Sequence, residues 1–160
     1  MNEHEVTVEA EVELPLPEAA VHGTLVRAVE ATLAHTGAPP SGLTILLVDN
    51  ERIAALNREF LGEDKPTDVL SFPAGEPMPG MEAYLGDIAI AIPVAVEQAR
   101  SAGHGLLDEL ALLTVHGVLH LLGHDHAEPA EQQEMWRLQD AILAGLELPL
   151  RSPDYDNPAS

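Results

Sequence analysis

Cysteine is missing from the chain, so the fold must be held without disulfides, which suits a reducing compartment. At 160 residues the chain is the size of one domain that buries about two thirds of its surface, enough to do without such staples. Basic residues are nearly as scarce. Seven Lys and Arg stand against 27 Asp and Glu, a net charge of −20, which argues against binding nucleic acid through a broad basic surface. Long apolar runs are lacking too: none approaches the ~18 residues of a membrane span, and the polar start Met1–Glu5 has no apolar core of a signal peptide. The expectation is a cytoplasmic protein with no membrane partner.

What the chain does have is a cluster of histidines, His116-Gly-Val-Leu-His-Leu-Leu-Gly-His-Asp-His126. Residues four apart share one helix face, so His116 and His120 can reach one ion together. Gly123 can take the left-handed conformation that ends a helix and turn the chain back, bringing His126 to the same point. Three imidazoles with a fourth position open describe a catalytic zinc site, one Zn²⁺ per chain. His124 is open to either reading, facing the ion or turned away. Asp125 is a candidate to orient a ligand by accepting its other ring N–H, and equally a candidate cap.

The spacing equals that of the metzincin peptidases except that Gly117 stands where those enzymes carry the glutamate base. A glycine cannot accept a proton, so peptide hydrolysis loses its base while the metal geometry survives. Met135 lies in a helical pattern, Glu131–Gln139, and reads as a packing residue rather than the methionine of a turn beneath the metal.

Taken with Pro66-Thr-Asp-Val-Leu-Ser-Phe-Pro73 and Leu85-Gly-Asp-Ile88, the histidine segment resembles the YbeY family of bacterial zinc-dependent endoribonucleases, from about Leu43 to Leu146. The resemblance implies single-stranded RNA as substrate, a role in ribosomal RNA maturation and ribosome quality control, and association with the small ribosomal subunit, with no DNA partner. Some members carry a catalytic arginine directly before the glycine that precedes the proline-threonine-aspartate motif; here that position is Leu61. Arg58, one helical turn earlier, is the candidate replacement. Phosphodiester hydrolysis needs positive charge at the non-bridging oxygens, and Arg52, Arg58 and Lys65 lie within 14 residues of one another. Thr67 and Ser71 are candidates for hydroxyl contacts to phosphate, or else structural strand residues. Asp68 and Asp87, in strand motifs, read as supports behind a ligand or as backbone anchors rather than as catalysts. A metallopeptidase, and a ribosome-assembly factor with a structural metal, are the competing functions.

Along the chain, period-2 alternation over Glu5–Leu14 predicts an edge strand, Glu18–His35 a helix closed by Gly37, and Leu43–Val48 a buried strand. A helix capped by Asp49 or Asn50 runs to Gly62, a strand spans Thr67–Phe72, and Pro73–Gly80 is a loop. Leu85–Ile92 reads as a strand, Pro93–Ser101 as a helix, and His104 as loop surface. From Leu106 to Leu122 apolar residues occupy nearly every side, so this helix must run through the middle of the domain. A last helix runs from Glu128 to near Gly145, and Arg151–Ser160 reads as a disordered tail. The whole is one α/β (α+β) domain over residues 1–150 with a small mixed sheet of about four strands and a central zinc-binding helix, zincin-like in layout.

Overall fold

The computed structural model describes residues 4–63, 67–75, 83–125 and 127–148. Its elements follow in the order β1 (Glu5–Ala10), α1 (Glu18–Thr36), β2 (Ser41–Val48), α2 (Asn50–Leu61), β3 (Val69–Pro73), β4 (Ala83–Ala91), α3 (Ile92–Ala102), α4 (Leu106–Leu121) and α5 (Pro129–Gly145). Four strands form one sheet in the order β1-β2-β4-β3, parallel except that β3 runs antiparallel to β4. The expected mixed sheet is present. Strand boundaries shift from expectation: β1 stops at Ala10, four residues early, and β3 begins at Val69, with Asp68 joined to β4 through its carbonyl, which accepts the Ala91 amide at 2.9 Å.

Alternation along the strands divides the core in two. Leu43, Ile45 and Leu47 of β2, with Ile88 and Ile90 of β4, face the large layer built by α1, α4 and α5. Val48, Leu70, Ala89 and Ala91 face α2, which contributes Ile53 and Leu56. Asp49 starts α2 by accepting the Arg52 amide at 2.7 Å, and Gly62, at φ 75°, ends it.

Every residue of α4 from Glu109 to Leu119 is buried, which explains why its apolar residues circle the whole helix. Burying side chains such as Leu110, Leu113 and Leu119 stabilises by about 1.5–3 kcal/mol each before the entropy of ordering is subtracted. Gly117 is the point of closest approach to the sheet: a Cβ there would lie 3.0 Å from Ile88 Cγ2 and 3.1 Å from its Cδ1. Ser71 of β3 secures the same approach by donating its hydroxyl to the Gly117 carbonyl at 3.0 Å. Gly86, at φ 137°, does the matching service in β4, since a Cβ would overlap the Phe72 carbonyl oxygen across the ladder.

A buried polar network ties the opening of β3 to α3 and α4. Asp68, fully buried, accepts the Val69 amide at 2.8 Å and faces Gln98, which donates to Glu109 at 2.8 Å. His104 lies 2.6 Å from the other Glu109 oxygen with only 11% of its side chain exposed, so it is a covered partner of a buried carboxylate and not the loop-surface residue expected from its flanking glycines. The reading of Asp68 as a strand anchor agrees with this placement; the proposed tail, Arg151–Ser160, lies outside the described residues.

Candidate active site

The last turn of α4 carries His116 and His120 on one face, with ring centroids 4.7 Å apart and planes at 72°. Beyond His120 the helix ends in a Schellman turn: Gly123, at φ 99°, donates to His120 and His124 donates to Leu119, both at 3.0 Å. The chain therefore reverses where the glycine spacing requires it. His126 lies outside the described residues, and among the described residues no three metal-ligating side chains gather at one point. His124 is half-buried and Asp125 exposed on the turn.

His116 is completely buried, and its Nδ1 lies 2.6 Å from Oε1 of Gln139 on α5. An amide oxygen only accepts, so His116 Nδ1 donates, and in the neutral ring Nε2 then keeps its lone pair. That is the tautomer a metal ligand needs, held by the kind of partner that orients metal-bound imidazoles. Trp136, three residues before Gln139 on α5, has its ring 6.1 Å from that of His116. Nε2 of His116 and of His120 are both shielded from bulk solvent. A pair of adjacent imidazoles, one locked with its lone pair forward, fits a borderline-soft divalent ion such as Zn²⁺.

The two histidines form one wall of a cleft of about 170 Å³, whose other walls are Val69, Leu70, Ser71 and Pro73 of β3 and Leu61 at the end of α2. The cleft runs along the edge strand of the sheet. Of the sequence-derived candidates, Ser71 lines it with its hydroxyl committed to the Gly117 carbonyl. Thr67 is 3% exposed and its hydroxyl faces Asp68 at 3.4 Å. Arg58 is exposed on the last turn of α2, one turn before the lining residue Leu61. Arg52 is joined to Glu11 at 3.3 Å, and Lys65 lies outside the described residues.

Gln139 is the site residue that sequence reasoning missed. Its signal was there in outline, a fully buried amide on the apolar stripe Met135, Gln139, Ile142 and Leu143, where a polar residue needs a partner. Met135 itself is fully buried in the core, the packing role read from its helical pattern.

A family model described as Endoribonuclease YbeY matches residues 7–147. A curated Endoribonuclease YbeY from Thermobifida fusca is 50% identical over 113 residues, covering 67% of this chain and 73% of its own. Another, from Salinispora tropica, is 52% identical over 113 residues, covering 64% and 72%. The solution structure of a Thermotoga maritima protein shares the fold, with a TM-score of 0.55 over 96% of this chain and 97% of the other at 23% identity.

Proposed function

The chain belongs to the YbeY family of endoribonucleases, and from that premise we propose that it is a zinc-dependent hydrolase of single-stranded RNA whose reaction takes place in the cleft beside His116 and His120. Internal cleavage of RNA is hydrolysis of a phosphodiester. The observation that supports the location is the His116–Gln139 contact, because a partner on the other ring nitrogen of a buried imidazole in a cleft wall is the arrangement that orients metal-ligating histidines.

His116, His120 and His126 are the proposed ligands, with Asp125 proposed to orient one of them by accepting its other ring N–H. When bound, zinc supplies acidified water and positive charge at the reacting phosphorus. The chain supplies the rest. Gln139 fixes the His116 ring, β3 and Leu61 wall the substrate channel, and Arg58 with Lys65 are the cations proposed to offset charge on the non-bridging oxygens. The substrate is proposed to be ribosomal RNA during maturation and quality control of the small ribosomal subunit, in the cytoplasm. No helix among the described residues is long and apolar enough to cross a membrane.

Peptide hydrolysis is disfavoured on geometry as well as chemistry. The position after His116 packs against Ile88, so a glutamate there has no room without moving the helix off the sheet. The test is metal content by mass spectrometry of the protein beside its His120→Ala variant, each then assayed on a single-stranded oligoribonucleotide. About one zinc per chain, lost together with cleavage in the variant, is the expected result. Cleavage indifferent to loss of zinc would sink the metal-dependent reading and move a binding role in ribosome assembly ahead.

A further inference from the structure

Aromatic residues make up 3% of the chain, with two phenylalanines in all, and both meet at one place. Phe60, in the last turn of α2, is 58% exposed, and its ring centroid lies 5.1 Å from that of Phe72 on β3 with the planes tilted by 58°. A single exposed apolar side chain is ordinary. Here Leu61, equally exposed, is a wall of the histidine cleft, and Phe72 stands between two other walls, Ser71 and Pro73. Strand neighbours point to opposite faces, so Phe72 lies on the α2 side of the edge strand while Ser71 lies on the histidine side, and the pair flanks the cleft across β3, next to the lining residue Leu61. Phe72 is anchored from behind by the core shared with Leu56 and Leu70, which gives the Phe60 ring a rigid brace on one side and solvent on the other.

An acidic protein that cuts RNA has few cations with which to grip phosphates. Of the local cluster, Arg52 already pairs with Glu11. Stacking needs no charge: every base has a π-face, and removing an aromatic platform weakens single-strand binding roughly 5- to 150-fold per base. We propose that Phe60, braced by Phe72, is a stacking platform for an unpaired nucleobase of the RNA substrate beside the histidine cleft. The inference rests on the endoribonuclease reading and names what holds the strand there. It also gives a reason for single-strand preference, because a base inside a duplex has both faces covered by its neighbours.

The test compares wild-type protein with Phe60→Ala and Phe60→Tyr in steady-state cleavage of a single-stranded oligoribonucleotide, with binding followed by quenching of a 2-aminopurine placed beside the cleaved bond. Expected are a roughly tenfold rise in KM for Phe60→Ala with kcat within about twofold, recovery in Phe60→Tyr, and quenching in the wild type and Phe60→Tyr but not in Phe60→Ala. An unchanged KM with quenching retained in Phe60→Ala overturns the platform while leaving the endoribonuclease reading intact, and assigns the patch to a protein partner instead. A fall in kcat with unchanged KM and a lowered melting temperature makes Phe60 structural and overturns it too. Wild-type protein that neither cleaves nor binds the RNA overturns both readings together.

Discussion

Gln139 holds Nδ1 of the buried His116 ring at 2.6 Å, and this makes it the most informative single residue of the proposed site after the histidines themselves. Replacing it with leucine keeps the volume of the stripe and removes the acceptor, so the ring is free to take the other tautomer. Zinc affinity is expected to fall 10- to 100-fold, read by competition with a chelator, while the far-ultraviolet spectrum stays unchanged. Tyr84 offers a separate check on the open face of the sheet, where its hydroxyl donates to Asp87 and meets Thr44 at 2.8 Å. Burial, and next the hydrogen bond to Asp87, push its pKa above the ordinary 10.0, with the Thr44 contact opposing. A raised folded-state pKa contributes stability that is complete below the unfolded value and disappears as pH rises through the folded one. The contribution is small, since Tyr84 is 44% exposed and solvent screens the interaction. Of the chain's two tyrosines, one should therefore ionise late in an alkaline absorbance titration, and Asp87→Asn should move that titration back toward 10. A late transition that survives Tyr84→Phe would refute the assignment.

At the scale of elements, α4 gives up helix propensity to lie close to the sheet. Alanine at position 117 would gain about 1 kcal/mol over glycine in a free helix. Here its Cβ meets Ile88, a fully buried side chain with nowhere to swing, and such crowding costs about 1–3 kcal/mol. Gly117→Ala is therefore expected to destabilise by about 1 kcal/mol in urea unfolding. In an Ile88→Ala background, itself weaker by about 2–5 kcal/mol, the crowding atoms are gone and the same change should become neutral or stabilising. If the two substitutions simply add, the contact is not what selects glycine. The strand β3 depends on a similar exchange: Asp68 satisfies the first amide of β3 from a buried position, and Gly86 admits the Phe72 carbonyl, so the edge that walls the cleft is fixed at both ends.

For the molecule as a whole, charge sets the terms on which it meets RNA. With −20 overall and three cations in the stretch 52–65, few phosphates can be neutralised. Each contact to a single strand adds about −0.7 to the slope of log affinity against log salt, so the slope should be no steeper than about −2. Fluorescence anisotropy across a salt series measures it. A slope near −5 would reveal a phosphate-binding surface that the composition does not provide.

Much of this was determined by the sequence alone, because it is written in local periods and spacings. Alternation and helical periodicity located the nine elements of the described residues to within a few positions, Gly123 marked the end of α4, and apolar residues on nearly every side of Leu106–Leu122 required a central helix. The i, i+4 pair His116 and His120 was equally legible, since a helix brings such residues together whatever surrounds it. Other features depend on residues far apart in the chain, and only the tertiary structure decided them. Gly117 reads in sequence as a lost base and in space as the contact with Ile88 of β4; Gln139 gains its meaning 23 positions from His116; His104 is covered by a glutamate across a helix start. Phe60 and Phe72, ordinary in a one-dimensional pattern, meet only because α2 ends beside the edge strand β3. Local sequence specifies which face a side chain takes on its own element, whereas the partner on that face is set by how the layers pack.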